Sequence, residues 1–579
     1  MPYNGLAMPT NTPTQLSFSE TTPSALDSWA SNLPLVNTTA TAEQLQTACQ
    51  EITALHIPSQ LRYELLEALR PLVHYVCSRL HKNTRETLAP AHVLAHTLTG
   101  GYEVAFEQAR LTAMQDKDQR DILIRSAHRL LSELGRVGLY CFQQYRDLPT
   151  NYWNKAHTTY LVIESMELLD SKQKDTDDSD HATSIAHVYL RNLLFACCKP
   201  NQLNFQDLSF TFIALEAWAA QASLEDYSDE GLLVVDMASN TGPSFRHKLN
   251  TSQDLRVLNT EVLAYETEAY LNDVSTNLPV PEFMHPELIQ HLLQSWSVIQ
   301  PRHYRRITSQ GRVKLCMGMR AAHYFLSGGV DFTDQISNTE AVLRREVNPF
   351  LDVDFESINS PPEDDPWSQA HDLKRRIPEN HNVEDPDAIL LQHATRKVSG
   401  RKFDHYELLS LDTSPGGYRV QWEDTMPTGA HVGEIVGLRE EVDSRWCIGV
   451  LRWIAGHGEN GQMGVQLLAP RAIPLALRPI QKKGGATGYS RGFLLPALDA
   501  IGQVATMITP RLPFVSGQKI SMQRQGLQST GLLMEPVLNT ESFNQFTFRM
   551  LDGYLENPTR TSKMDALTAM TREDSTQGS

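Results

Sequence analysis

Asp412, Ser414 and Gly417 stand as D-x-S-x-x-G inside LLSLDTSPGGYRVQW, residues 408–422. The set offers a carboxylate acceptor, a hydroxyl, and in Gly416 and Gly417 two residues past which a ligand can approach the backbone closely. Upstream, Arg302, Arg305 and Arg306 cluster in PRHYRR. A guanidinium can grip a phosphate, or the O6/N7 edge of guanine, with two parallel hydrogen bonds, and its flat face can stack on a purine. A carboxylate suits the N1–H and N2–H donors at the other side of that base. These residue types suit binding of a guanine edge beside a phosphate.

The elements that must position them are β-strands. Apolar residues flank the hexapeptide on both sides, so it reads as a turn between two strands. The arginines precede an alternating segment in which Val313 and Leu315 face a core. Further strands follow at HVGEIVGL (431–438), WCIGVLRWI (446–454) and MGVQLL (463–468), which together predict a small barrel with Trp446 and Trp453 in its core. The two motifs lie 412 − 306 = 106 positions apart. An acidic, Pro- and Asn-rich stretch at about 331–395 reads as an insertion between the first two strands. Lys397 and Arg401 have the spacing of the outer arginines and lie nearer to the turn, but they leave no room for a strand before Phe403. Arg302 and Arg306 are therefore preferred.

The rest of the chain divides by pattern. Residues 1–24 and 556–579 read as polar tails. Residues 25–230 carry helical periodicity, as in Leu61, Leu65, Leu69, Leu72, Val76 and Leu80 behind Pro58, and Thr41 with Gln44 reads as a capping box. The SKQKDTDDSDHA run (171–182) reads as a loop. Residues 231–299 are mixed: GLLVVDM and EVLAYETEAYL alternate like strands, and a helix runs from Pro286 to about Ile299. The barrel occupies 300–480, KKGGATGYSRG (482–492) reads as a linker, and 491–555 form a second small β module. The fold class is multidomain α+β.

Composition narrows the function. The 579 residues carry a formal net charge of −17, which excludes a general nucleic-acid binder. The seven cysteines are scattered, with no C-x-x-C and no metal-ligand spacing, so no metal or cofactor is expected and a reducing cytoplasm fits. No apolar run nears the ~20 residues that cross a bilayer, and the first cationic residue is Arg62, so neither membrane insertion nor a secretory leader is expected. No catalytic spacing is found, and the chain reads as a non-enzyme.

RHYRR before a strand, then DTSPGG, then the three later strands, resemble the PilZ domain, a six-stranded barrel. The resemblance covers about 300–480. It implies binding of cyclic di-GMP, with Arg302 and Arg306 filling the family's arginine positions, Arg305 able to replace either by a shift in register, and Asp412, Ser414 and Gly417 filling the second motif beside Gly416. The chain as a whole is similar to large, atypical proteobacterial PilZ proteins with a helical N-terminal half. That likeness implies a cytoplasmic bacterial second-messenger receptor coupled, through the helical half or the C-terminal β module, to a protein partner controlling motility, pili, surface attachment or biofilm. The alternative is a structural or chaperone-like interaction protein with a degenerate barrel.

Overall fold

The computed structural model describes residues 13–551 apart from 81–84, 114–116, 176–181, 230, 247–253, 298–306, 309–310, 338–402, 425, 428, 441–444, 457–459, 481–487, 498–502 and 525–526. The chain divides near residue 301 into two compact units.

The first unit comprises α1 (Pro23–Ser31), α2 (Thr38–Ala54), α3 (Ser59–Leu80), α4 (Arg85–Thr112), α5 (Lys117–Gln143) and α6 (Tyr152–Ser165). A short hairpin, β1 (Lys172–Lys174) and β2 (Ala182–Ser184), leads to α7 (Ile185–Cys197) and α8 (Phe205–Trp218). The strands β3 (Ser223–Asp226), β4 (Leu233–Asp236), β5 (Ser244–Phe245) and β6 (Leu255–Asn259) form an antiparallel sheet of order β3-β6-β4-β5, followed by α9 (Glu261–Leu271) and α10 (Pro286–Ser297). Side-chain caps start the helices where short polar residues allow: Asn37 accepts from Ala40 N, Ser184 from His187 N and Asn204 from Asp207 N. One continuous core of leucines and aromatics runs from Leu26 to Trp296 and takes in the sheet through Leu233, Val235 and Leu258.

Two sequence readings change here. Thr41 caps nothing: it is buried inside α2, and its hydroxyl donates back to the Pro34 and Asn37 carbonyls. EVLAYETEAYL is helix, not strand. It buries Leu263 and Thr267, four residues apart, while Val262 and Tyr265 stay exposed, and its Glu, Ala and Leu content favours helix.

The second unit holds two barrels. In the first, β7 (Ile307–Thr308), β8 (Arg312–Met317), β9 (Tyr406–Ser414), β10 (Gly417–Gln421), β11 (Ile435–Arg439), β12 (Cys447–Ala455) and β13 (Gln462–Ala469) run in the order β10-β13-β12-β11-β8-β9-β7. Pairing of β9 with β10 closes six of them into a ring, and β7 lies against β9 outside it. Register puts Val313 opposite Leu408, Leu315 opposite Leu438 and Val420 opposite Met463, all buried.

The second barrel is closed as β14-β15-β16-β19-β18-β17, from β14 (Ile473–Pro479), β15 (Ser490–Leu495), β16 (Thr506–Pro510), β17 (Lys519–Arg524), β18 (Leu527–Asn539) and β19 (Phe543–Met550). The boundary expected at 480–491 therefore moves. Residues 473–479 pair with β15 and β17, so they belong to this barrel, and Ser490-Arg491-Gly492 are strand, not linker.

After β8 come α11 (Met319–Leu326), ahead of the expected insertion, and α12 (Phe332–Ser337), at its start. Ala321 and Ala322 of α11 join a core made by Ile435, Ile448 and Val450 of the first barrel with Phe493, Leu495 and Ile508 of the second. His323 Nε2 lies 3.1 Å from the Leu475 carbonyl, and Gln523 Nε2 donates to Ile336 O at 3.1 Å. The segment between β8 and the insertion, with the insertion's first turns, is thus a wedge that fastens the two barrels together. The fold class read from the sequence holds: helical N-terminal half, six-stranded barrel with an insertion, second β module.

Candidate functional site on the outer face of the first barrel

DTSPGG is a tight hairpin. Ser414 pairs with Gly417 across a turn made by Pro415 and Gly416, and Ser414 Oγ donates to the Gly417 carbonyl at 3.3 Å. Register then slips: Arg419 stands opposite Asp412 but Val420 opposite Ser410, so Leu411 has no cross-strand partner. A bulge of this kind re-aims side chains and raises local twist. Here it places Asp412 beside Arg419, which is 39% exposed, while Val420 and Ser410 on the far side of the slip are buried.

Arg419 Nε lies 2.7 Å from Asp412 Oδ2, an ion pair off the hydrogen-bond direction. Asp412 itself is only 8% exposed, and a carboxylate so enclosed is expensive to keep without a cation. On the other flank Thr308 stands opposite Asp412 and Ile307 opposite Thr413. Arg302, Arg305 and Arg306, and the alternatives Lys397 and Arg401, lie outside the described residues. Ile307, the residue after Arg306 in the chain, is nevertheless paired next to Asp412 and Ser414, so the ends of two segments 106 positions apart (412 − 306) meet at one edge of β9.

Gly417 answers to its neighbours before any ligand. A Cβ built there would stand 2.0 Å from the Val465 carbonyl oxygen, so β13 can approach β10 only at a residue without a side chain. Gly464, opposite Arg419, is likewise covered: its Cβ would fall on the indole of Trp453. Trp453 is half-buried, and Trp446 stacks on Phe325 of α11 with ring centroids 4.8 Å apart, so neither tryptophan fills the barrel core. Next along this face, Arg452 Nε donates to Gln466 Oε1, and Gln466 stands opposite Gly417. Arg419, Trp453 and Gln466 were not recognisable as neighbours of the motif, because cross-strand register alone brings them there.

The patch offers a carboxylate, hydroxyls, guanidiniums and an indole, which suit binding. Its serine faces a carbonyl and not a base, so nothing activates it as a nucleophile. A serine–histidine contact between the barrels, His431 Nε2 to Ser542 Oγ at 3.0 Å, has its Nδ1 on the Gly429 carbonyl, and Ser542 donates to Glu434, which describes a clasp. Cys49, Cys77, Cys141 and Cys197 are pushed up to about 12 by burial and so stay protonated. Among the described residues no cluster has a metal-binding arrangement, and no helix is long and apolar enough to cross a membrane.

Three family models match the chain end to end. Residues 24–229 match the N-terminal domain of the cyclic-di-GMP receptor FimW, 232–474 its middle PilZ domain, and 475–551 its C-terminal beta-barrel domain. The middle match takes in β4 to β6 with α9 and α10, which pack in the first unit. A curated relative from Pseudomonas aeruginosa, described as "Cyclic-di-GMP receptor FimW", is 28% identical over 586 aligned positions, covering 95% of this chain and 94% of the relative. No solved structure matches the chain.

Proposed function

We propose that this chain, which belongs to the FimW family of PilZ-domain cyclic-di-GMP receptors, binds cyclic di-GMP on the outer face of its first barrel. The observation that carries the reading is the pairing of Ile307 and Thr308 with Thr413 and Asp412. It brings the two residues that follow the arginine segment in the chain to the hairpin that holds Asp412, Ser414, Gly416 and Gly417, although the sequence separates them widely.

Each group then has a task. Arg302 and Arg306, with Arg305 beside them, grip phosphate or the O6/N7 edge of guanine. Asp412 accepts from guanine N1–H and N2–H, Ser414 donates to phosphate, and the Pro415-Gly416 turn leaves the ligand room. No step of chemistry is required, and the protein acts as a receptor, not an enzyme. The segment that carries the arginines joins α10 to β7 in the chain, so holding it on a ligand converts occupancy into a change in that connection. A protein partner reads the change through the helical unit or the second barrel, with motility, pili or attachment as the output. The seven cysteines are all buried thiols, which suits a reducing cytoplasm.

Isothermal titration of the full chain with cyclic di-GMP, with GTP as control, tests this. Saturable binding of the cyclic dinucleotide and none of GTP supports a receptor. Absence of binding leaves a barrel that serves only as a docking module.

A further inference from the structure

We propose that the groove at the C-terminal end of α9 is a docking site for a basic segment of a protein partner, which inserts a lysine or arginine side chain that Asp273 recognises. The inference deepens the reading that a partner engages the helical unit, and it names that partner's charge. The groove is open, and Tyr270, Leu271, Asp273, Val274, Ser275 and Pro286 line it. Tyr270 and Val274 are 38% and 55% exposed.

Asp273 holds a place that stability alone would give to another residue. It follows the C-cap Asn272 with φ 55°, in the left-handed region that favours glycine, and its N–H donates to the Tyr270 carbonyl. It also sets a carboxylate at the helix end that carries partial negative charge, where a cation is the favoured group. Glu266, earlier in α9, is used internally: its carboxylate accepts from Thr276 Oγ1 and Asn277 N and holds the loop that follows the helix. Among the described residues the Asp273 carboxylate meets no donor and no cation.

Charge complementarity fixes the sign of the occupant. No lysine or arginine occurs between Arg256 and Arg302, a stretch that holds Glu261, Glu266, Glu268, Asp273, Glu282 and Glu287. Such a surface attracts cations and repels nucleic acid and acidic peptides. The lining selects the side chain. The aliphatic stem of lysine or arginine packs on Leu271, Val274 and Pro286, and its charged end reaches the Tyr270 ring and the Asp273 carboxylate. Val262 and Tyr265, exposed farther up α9 among Glu261 and Glu268, extend the apolar and acidic surface beyond what one small cation covers, so the occupant is a stretch of protein. Pro286 begins α10, the helix that precedes the arginine segment in the chain, so the groove stands on the element through which occupancy of the barrel would be read.

The test is fluorescence anisotropy of the full chain with three labelled peptides of equal length, built from lysine and leucine, lysine and serine, or glutamate and leucine. The lysine–leucine peptide should bind saturably and tighter than the other two. Asp273→Gly should lower its affinity roughly fivefold while raising the melting temperature, because glycine suits the left-handed backbone. Asp273→Asn, which tolerates the same backbone, should show the same loss of affinity. Glu43→Gln, which removes one exposed charge from α2, should leave affinity unchanged. Equal losses in Glu43→Gln and the Asp273 variants, or no loss in the latter, overturn the proposal in favour of diffuse charge. Equal binding of the lysine–serine peptide overturns the apolar part of the groove. A wild-type dimer that the Asp273 variants dissociate would make a second copy the occupant and also overturn it. Cyclic di-GMP titration of the same variants should be unchanged. A wild-type chain that binds the lysine–leucine peptide but not cyclic di-GMP contradicts the receptor reading alone, and the reverse result contradicts only the docking groove.

Discussion

Arg70 in α3 and Arg419 in β10 both face carboxylates, in opposite settings. Arg70 is 4% exposed and donates to Glu133, which is fully buried, and to Asp175 at the tip of the β1–β2 hairpin. Arg136 donates to the same Asp175 at 2.6 Å, and Arg129 pairs with Glu67, so three arginines meet three carboxylates inside the first unit. Burial works to raise the pKa of Glu133, but His74, Arg70 and Arg136 outweigh it and hold the carboxyl well below the usual range. Arg136 and Arg70 do the same to Asp175. That network is buried: its opposite charges meet one another and fasten the β1–β2 hairpin to α3 and α5. The Arg419–Asp412 pair has its guanidinium toward solvent. Its ion-pair contact is 2.7 Å long, and its guanidinium is 39% exposed. The comparison teaches that a guanidinium with a solvent-facing side, and not one enclosed among carboxylates, is the kind of group that can still answer a ligand.

The comparison can be broken at several points. The largest effect belongs to the buried network. Arg70→Ala should destabilise the chain by about 3–5 kcal/mol, because it leaves buried carboxylates short of a partner. Chemical denaturation followed by circular dichroism reads the loss, and affinity for cyclic di-GMP in the folded variant should be unchanged. The same carboxylates set an acid limit. Their folded pKa values are depressed, so their contribution is complete above the unfolded values near ~4 and is lost as pH falls below them. Acid titration of wild type should show that loss, and a flat profile down to about pH 2 would contradict a charged Glu133–Asp175 network.

Asp412→Ala should invert the pattern. Stability should change by only about 1 kcal/mol or less, since the abandoned Arg419 can turn to solvent. Affinity for cyclic di-GMP should fall by about 2–3 kcal/mol, since the guanine donors lose their acceptor. A large drop in melting temperature with affinity intact would place Asp412 with the fasteners. Gly417→Ala separates geometry from recognition. Its Cβ would press on the Val465 carbonyl at 2.0 Å, so a stability loss of about 1–3 kcal/mol is expected from overpacking, measured by thermal melts. Ser414→Ala should be the mildest, at about 1 kcal/mol of affinity, equal for guanine and adenine ligands because phosphate is common to both.

The turn, the strands around it and the helical half were legible because each is written locally. Asp412, Ser414 and the glycines announce a hairpin, and Leu61 to Leu80 announce a helix. What stayed hidden depends on pairing across the chain. Nothing in YRVQW marks Arg419 as the partner of Asp412, since a bulge at Leu411 decides it. Residues 473–479 fall by sequence within the first barrel until β15 and β17 claim them. The alternation in EVLAYETEAYL suits strand and helix equally over so few residues, and the buried spacing of Leu263 and Thr267 settles it. Gly417 was read as ligand clearance, whereas its first constraint is the approach of β13.

Hydrogen exchange of the full chain, with and without cyclic di-GMP, tests most directly whether the arginine segment and the hairpin form one site. The account predicts slowed exchange in peptides covering 302–308 and 410–419 together, with the buried network around Glu133 unchanged. Protection confined to the helical unit, or at the hairpin without the arginine segment, would contradict it.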